Sequence, residues 1–277
     1  MTPHDELKAL LHQKELFIFD LDGTLFNTLG DLAPAVNYAM KQFGLKTHSN
    51  DDVRTFIGNG SMNLIRRAVA ANYIDVNIVR DIEKVATVLE REGYSEESIK
   101  EIHKVYSEFY WEHCTDNTEP YEGVVNLLQR ISNRAENFNR NEDCAECDKN
   151  GAQPVNCVAT KSAKVRCAAM LTNKPVAPAQ KILEKFGLEN SFATYLCGDT
   201  TPERKPSPAG IFEILRQTGI APEKAIMIGD DTPDVLAAKN AGIDCITLFE
   251  GFGKAENLLP LEPRYTAGHI KDFAKFI

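Results

Sequence analysis

The stretch that decides the fold of this chain occupies positions 17–28 and reads Phe17-Ile18-Phe19-Asp20-Leu21-Asp22-Gly23-Thr24-Leu25-Phe26-Asn27-Thr28. Its first residues are aromatic or β-branched, which predicts a buried strand that ends where the carboxylates begin. Asp20 and Asp22 repel each other at this spacing unless a cation lies between them or one keeps its proton. The pair therefore indicates a divalent metal site, a nucleophile, or both, although Asp-Gly alone is also an ordinary turn signal.

The composition is that of an ordinary soluble protein, with 43% hydrophobic and 26% charged residues in a chain of 277. Forty acidic against 31 basic residues give a net charge of −9, which provides no field for a nucleic-acid backbone or an anionic membrane. No segment approaches the roughly 20 apolar residues of a membrane span, and acids occupy the N-terminal positions where a signal peptide is basic. We expect a cytoplasmic monomer or homodimer that binds neither nucleic acid nor membrane.

A block of helices is predicted directly after the first strand. Apolar residues recur at helical spacing over 29–43, a capping box begins at Ser49, and further helical stretches follow at 61–72, 75–92 and 95–114. Because no strand signal separates them, we predict a helical cap domain at 28–115. It is inserted into a core formed by 1–27 and 116–277.

The second half of the chain alternates strands with helices. Strands are predicted at 165–171, 194–197, 225–228 and 244–249, and helices at 176–186, 207–218 and 233–241. This alternation predicts an α/β fold, a Rossmann-like doubly wound parallel sheet with helices on both faces. In such a sheet, ligands bind beyond the carboxyl ends of the strands.

Polar residues cluster at these predicted strand ends. They are Asp20 and Asp22, then Thr172 and Asn173, then Lys205, and finally Asp230, Asp231 and Asp234. One carboxylate can attack phosphorus while a second protonates the leaving oxygen. Hydroxyl, amide and ammonium groups can hold phosphoryl oxygens, and the remaining acids suit Mg²⁺. The set therefore favours phosphoryl-transfer chemistry.

These four groups of strand-end residues act as four sequence motifs, and a helical insert follows the first of them. In this order they resemble the haloacid dehalogenase superfamily, most closely its phosphoglycolate phosphatase-like members. The resemblance covers Phe19–Thr28, Val53–Gly60, 116–121, Leu171–Pro175, Gly198–Ile211 and Ile228–Gly242. It implies Asp20 as nucleophile, Asp22 as general acid and base, and Thr172, Asn173 and Lys205 as phosphate ligands. It also implies Mg²⁺ bound by Asp20, the backbone carbonyl of Asp22 and Asp230, with Asp231 or Asp234 supporting its waters.

The resemblance further implies a Mg²⁺-dependent phosphatase that hydrolyses a small phosphomonoester, 2-phosphoglycolate, through an aspartyl-phosphate. Arg54 and Asn59 would contact the substrate from the cap, Arg54 as the partner of its carboxylate. Dehalogenases of the superfamily lack the acid at the position of Asp22, because they have no leaving alkoxide to protonate. A sugar-phosphate mutase or pyrophosphatase on the same core, and a non-catalytic binding module, remain as alternatives.

Residues 132–164 depart from the family pattern, in which a short turn suffices between helix and strand. This segment is polar and contains Cys144, Cys147 and Cys157, which together with Cys167 offer four thiolates for a zinc site. A flexible surface insertion with incidental cysteines, or redox pairing of Cys144 with Cys147, are the competing interpretations.

Overall fold

The computed structural model describes residues 2–131, 166–201 and 203–277, and its sheet is built around one short, fully buried strand, β1 (Leu16–Phe19). Its other strands are β4 (Cys167–Leu171), β5 (Thr194–Leu196), β6 (Ala225–Gly229), β7 (Asp244–Leu248) and β8 (Tyr265–Ala267). All six pair in parallel, in the order β5-β4-β1-β6-β7-β8. Residues Asp20 and Asp230 follow directly after the neighbouring strands β1 and β6.

The side chains of β1 alternate between the two faces of the sheet, as the period of two requires. Phe17 and Phe19 enter one apolar core, and Leu16 and Ile18 enter the other. The first core is covered by α1 (Pro3–Gln13), α7 (described over 124–131) and α8 (Val176–Lys185). The second is covered by α9 (Ala209–Thr218) and α10 (Thr232–Ala241). The predicted doubly wound parallel α/β sheet is confirmed.

Five helices between β1 and α7 form a separate layer, here called the helical unit. They are α2 (Leu29–Gln42), α3 (Asn50–Phe56), α4 (Ser61–Ala70), α5 (Ile82–Arg91) and α6 (Glu96–His113). These helices share an apolar core of their own, which includes Val36, Ile65 and Ile102. None of the helices in the described parts of the chain is both long and apolar enough to cross a membrane.

Two chain segments join the helical unit to the sheet. β2 (Phe26–Asn27) and β3 (Glu119–Pro120) form an antiparallel ribbon at this junction. Beside it, the buried carboxylate of Asp31 accepts hydrogen bonds from the backbone and side chain of Asn117, at 2.8 and 3.0 Å, and of Thr118, at 2.8 and 2.7 Å. The side chain of Asp31 thus fixes the segment directly before β3 against α2.

The local sequence signals predicted some elements better than others. The capping box is confirmed, since the Ser49 hydroxyl accepts the Asp52 N–H and the Asp52 carboxylate accepts the Ser49 N–H. The helix predicted over 75–92 is wrong at its start, because Asp81 caps a helix that begins only at Ile82. The ribbon and β8 were not predicted. The remaining elements are α11 (Ala255–Leu258) and 3-10 turns at Val76–Ile78, Pro222–Lys224, Leu259–Leu261, Ile270–Asp272 and Ala274–Phe276.

The junction generates a stability prediction. Asp31→Asn replaces one acceptor oxygen with a donor and leaves two N–H or O–H groups unpaired, so we expect a loss of about 2–4 kcal/mol in the free energy of unfolding. Urea titration monitored by circular dichroism measures it. The matched control is Asp51→Asn on the exposed first turn of α3, where we expect at most about 1 kcal/mol. Equal losses in the two variants would contradict the role given to Asp31.

Candidate active site

The predicted strand-end residues meet in one cleft between the sheet and the helical unit. Asp20, Asp22, Thr172, Lys205 and the acids at 230, 231 and 234 all line it. The helical unit contributes Gly58, Asn59, Gly60, Tyr106 and Tyr110, and the enclosed volume is about 80 Å³. This volume suits a small ligand, since clefts that take drug-sized molecules measure roughly 300–1,000 Å³.

Asp20 is the carboxylate at the end of β1, and its backbone N–H is fixed to the Ile228 carbonyl at 3.0 Å. Burial raises the pKa of Asp20 to about 7, with repulsion from Asp234 and Asp22 acting in the same direction. Lys205 opposes this rise from 2.8 Å. The side chain is 13% exposed, so it remains open to the cleft.

Lys205 lies between two carboxylates, with its ammonium 2.8 Å from Asp20 Oδ1 and 2.6 Å from Asp234 Oδ1. Burial works against its charge, but the two carboxylates outweigh burial and raise the pKa of Lys205. The Asn173 amide accepts the Lys205 N–H at 3.0 Å and donates to the Lys205 carbonyl at 2.9 Å. The side chain of Asn173, which is predicted as a phosphate ligand, thus also positions the backbone of Lys205.

The three acids that follow β6 have different partners. Asp230 accepts the Thr24 hydroxyl at 2.6 Å and the Phe252 N–H at 2.8 Å. Burial, then repulsion from Asp234 and Asp20, raises its pKa. Asp234 accepts the backbone N–H groups of residues 230 and 231 at 3.2 and 3.1 Å, beside its pairing with Lys205. Asp234 thus shapes the loop that presents Asp230.

Asp231, which with Asp234 is one of the two acids predicted to support metal-bound water, is paired with Arg80 of the helical unit. The Arg80 guanidinium donates to its two carboxylate oxygens at 2.8 and 3.0 Å, and also to the Ile57 carbonyl at 3.0 Å. Arg67 donates to the carbonyls of Phe56 and Gly58 at 2.8 and 2.9 Å. The two arginines hold the loop at 57–60 over the cleft. Sequence patterns did not predict them, because charged residues on amphipathic helices usually face solvent.

Three carboxylates form a group that fits a divalent cation. One oxygen from each of Asp20, Asp230 and Asp234 lies within 4.8 Å of the other two. Burial raises the pKa of both Asp20 and Asp230, so their ionised forms need a nearby positive charge to be stabilised. Oxygen donors of this kind are the ligands that hard divalent cations prefer. Both Asp20 and Asp234 pair with Lys205, and Asp234 uses its second oxygen for the N–H groups of residues 230 and 231.

Asp22 has partners of its own, away from Lys205. The Thr28 hydroxyl donates to Asp22 Oδ1 at 2.7 Å, and the Lys174 ammonium donates to the same oxygen at 2.8 Å. Lys174 also donates to the Tyr110 hydroxyl of α6 at 2.7 Å. Lys174 is not among the predicted site residues, although its position directly after Thr172 and Asn173 at a strand end is a signal for such a role.

The other predicted residues are distributed as follows. The Thr172 hydroxyl accepts the Lys174 N–H at 3.2 Å inside the cleft. Asn59 lines the cleft, and its buried Oδ1 has no hydrogen-bond partner among the described residues. Arg54, predicted to bind a substrate carboxylate, is exposed on α3 and lines a different cavity beside residues 249–254.

Only one cysteine of the predicted zinc site falls within the described residues. Cys144, Cys147 and Cys157 lie outside them. Cys167 begins β4, and burial raises the pKa of its thiol to about 11. The acidic trio described above is the candidate metal group of the described chain, and it contains no cysteine.

Comparison with known proteins identifies the family. The model of haloacid dehalogenase-like hydrolases matches residues 17–137 and 160–248. The chain is 31% identical to phosphoglycolate phosphatase of Psychrobacter arcticus over 90% of either chain. It is 30% identical to phosphoglycolate phosphatase 1 of Pseudomonas aeruginosa, over 93% of this chain and 77% of the relative.

Solved structures give the same relationship. A predicted phosphoglycolate phosphatase from Haemophilus somnus superposes with a TM-score of 0.72 at 26% identity, over 95% of this chain and 97% of the other. The CbbY protein of Rhodobacter sphaeroides, solved in complex with phosphate, has a TM-score of 0.64 at 18% identity, over 94% of this chain and 96% of the other, and shares the fold. The chain belongs to the haloacid dehalogenase-like hydrolase family, and within it is phosphoglycolate phosphatase-like.

Proposed function

We propose that this hydrolase is a Mg²⁺-dependent phosphatase that cleaves 2-phosphoglycolate through an aspartyl-phosphate on Asp20. The observation that carries the proposal is the separation of two acids in one cleft. Asp20 is paired with Lys205, whereas Asp22 is paired with Lys174 and Thr28. Relatives named phosphoglycolate phosphatase support the choice of substrate.

In the first step, a carboxylate oxygen of Asp20 attacks phosphorus. A bond forms between this oxygen and phosphorus, and the bond from phosphorus to the glycolate oxygen breaks. Lys205 and the Thr172 hydroxyl hold the phosphoryl oxygens, Lys205 as a compact positive charge. Asp234 keeps Lys205 in place, because its carboxylate is 1% exposed and 2.6 Å from the ammonium.

Asp22 serves both halves of the reaction as the proton carrier. It gives its proton to the departing glycolate oxygen, and then takes one from the water that attacks the aspartyl-phosphate. The second attack releases inorganic phosphate and restores the Asp20 carboxylate. The Thr28 hydroxyl at 2.7 Å keeps the Asp22 side chain in one orientation for both transfers.

Mg²⁺ fits the acidic group at the strand ends. Asp20, the backbone carbonyl of Asp22 and Asp230 would hold the ion, with Asp234 supporting the loop that presents Asp230. When bound, Mg²⁺ supplies positive charge that stabilises the phosphoryl oxygens. Thr24 and the Phe252 N–H orient Asp230 for this purpose.

The helical unit excludes water from the cleft. Arg80 connects it to Asp231, and Tyr110 connects it to Lys174. Hydrolysis of the phosphoenzyme needs one water, but bulk water would weaken every charge interaction in the site. The arginine-held loop at 57–60 is the segment that encloses the leaving group.

The two acids generate a kinetic prediction. We expect Asp20→Asn to lower the rate of phosphate release from 2-phosphoglycolate by more than about 10³-fold, because it lacks the nucleophile. Asp22→Asn should lower it by roughly 10²–10⁴-fold. With p-nitrophenyl phosphate, whose leaving group needs no proton, Asp22→Asn should still release a burst of one nitrophenolate per enzyme.

The burst separates the roles of the two acids. Rapid-quench or stopped-flow absorbance measures it, and Asp20→Asn serves as the variant without a burst. Undiminished turnover by Asp20→Asn would refute the assignment of the nucleophile. A burst in Asp20→Asn but not in Asp22→Asn would exchange the two roles.

The raised pKa of Asp20 generates a prediction for Mg²⁺ binding. Below about pH 7 the ion must displace a proton from Asp20, so affinity should rise about tenfold per pH unit up to that value and then level off. For the same reason, the metal-free protein should lose stability as pH rises from about 4 to about 7. The folded state then holds a proton that the unfolded state, with its ordinary pKa of 3.8, has released.

Calorimetric titration of the metal-free protein with Mg²⁺ across this pH range measures the first effect, and thermal unfolding measures the second. Added Mg²⁺ should remove most of the stability loss, because it favours the ionised carboxylates. A Mg²⁺ affinity that does not change between about pH 5 and about pH 7 would contradict the placement of the ion on Asp20.

A further inference from the structure

Two positively charged side chains line the described part of the cleft, Lys174 and Lys205. Lys205 belongs to the side of the cleft where the phosphoryl group is transferred, since it contacts Asp20. Lys174 lies 2.8 Å from Asp22, the acid that protonates the leaving oxygen in the proposed reaction. In the proposed reaction Lys205 contacts the phosphoryl group, and Lys174 has no contact with the substrate.

Lys174 is held from both layers of the molecule. Its ammonium donates to Asp22 of the core and to the Tyr110 hydroxyl of the helical unit, at 2.8 and 2.7 Å. Tyr110 is itself fixed by stacking on Tyr106, with ring centroids 5.6 Å apart. An ammonium has three N–H donors, so these two contacts leave one donor for a ligand.

The environment of Lys174 favours additional negative charge. Its side chain is 3% exposed, so little water solvates the ammonium. A buried charge is stabilised by nearby charges of opposite sign far more than an exposed one. A leaving group that carries a carboxylate brings such a charge to the side of the cleft where Lys174 lies.

We propose that Lys174 binds the carboxylate of the leaving group and so makes the enzyme selective for phosphate esters of a small hydroxy acid. This inference rests on the proposed hydrolysis of 2-phosphoglycolate and names the residue that recognises its carboxylate. The cleft volume of about 80 Å³ suits a small acid.

The arginines near the cleft have other partners. Arg54 is exposed and lines a separate cavity. Arg80 pairs with Asp231, and Arg67 donates to backbone carbonyls of the loop at 57–60. Arg204 lies beside Gly60 and donates through its Nε to the Gly198 carbonyl at 2.7 Å. Among the described residues that line the cleft, the cations are Lys174 and Lys205, and Lys205 is placed at the phosphoryl group, so Lys174 is our candidate for the carboxylate.

The test compares two non-hydrolysable ligands that differ in one charged group. 3-Phosphonopropionate carries a carboxylate, and 3-hydroxypropylphosphonate carries a neutral hydroxyl at the same distance from phosphorus. Calorimetry in excess Mg²⁺ gives both dissociation constants. We expect the wild-type protein to bind the carboxylate ligand at least about tenfold more tightly, the range for one hydrogen-bonded charge pair.

Lys174→Met is the decisive variant, because it keeps most of the side-chain volume without the charge. This variant should lower the affinity for 3-phosphonopropionate by roughly 10–100-fold and change the affinity for 3-hydroxypropylphosphonate by less than about threefold. The preference for the carboxylate ligand is then lost. Lys104→Met, an exposed lysine on α6, is the matched control and should keep the preference. Circular dichroism checks the fold of each variant.

Tyr110→Phe provides a second route if Lys174→Met does not fold. It removes one hydroxyl that holds the ammonium and should reduce the preference in the same direction by a smaller factor. The kinetic counterpart is KM: Lys174→Met should raise KM for 2-phosphoglycolate while leaving kcat with p-nitrophenyl phosphate less affected. A residue that only orients Asp22 would lower kcat for both substrates and leave phosphonate binding unchanged.

The inference would be overturned if the wild-type protein bound both phosphonates equally, or if Lys174→Met still preferred 3-phosphonopropionate. It would also be overturned if Lys174→Met lost affinity for both phosphonates equally, or if Arg54→Met removed the preference for 3-phosphonopropionate. Failure of the proposed function is distinguishable from these. If the wild type does not hydrolyse 2-phosphoglycolate but shows the Lys174-dependent preference, the proposed substrate is wrong and the assignment of Lys174 stands.

Discussion

The site depends on one buried lysine that lies between two carboxylates. β1 and β6 are neighbours in a parallel sheet, so their carboxyl ends bring Asp20 and Asp230 together where burial disfavours both charges. Lys205, 2% exposed and within 2.8 Å of Asp20, offsets part of this repulsion. Asn173 fixes the backbone of Lys205 and Asp234 fixes its ammonium. Asn173 and Asp234 therefore keep the lysine in place, and the group of carboxylates suits a divalent cation.

A second pair, Asp22 with Lys174, has a different physical role because it extends to the helical unit. The Tyr110 hydroxyl completes it from α6, and Arg80 forms a further contact with Asp231 across the same boundary. The helical unit thus contributes charge partners to the site as well as an enclosing surface. Loss of its contacts would affect Asp22, the proposed proton carrier, whereas the Asp20 and Lys205 pair lies entirely within the core.

Sequence patterns predicted the features that neighbouring residues or sheet topology determine. The strand that ends at Asp20, the capping box at Ser49 and the doubly wound sheet are of this kind. Patterns could not supply partners that are remote in sequence: Arg80 and Asp231 are 151 residues apart, and Lys174 and Tyr110 are 64 apart. For that reason the sequence does not predict the pairing of Asp231 with Arg80 or the contacts of Lys174 with Asp22 and Tyr110. The carboxyl ends of the parallel strands did bring Asp20, Asp22, Lys205 and Asp230 into one cleft.

The central claim is that Asp20 carries the phosphoryl group during turnover. Acid quenching of the enzyme during hydrolysis of 2-phosphoglycolate with Mg²⁺, followed by peptide mass spectrometry, tests it most directly. The account predicts one added phosphoryl group on the peptide that contains Asp20, absent from Asp20→Asn and more abundant in Asp22→Asn when p-nitrophenyl phosphate is the substrate. A phosphoryl group on another residue, or turnover by Asp20→Asn at the wild-type rate, would contradict it.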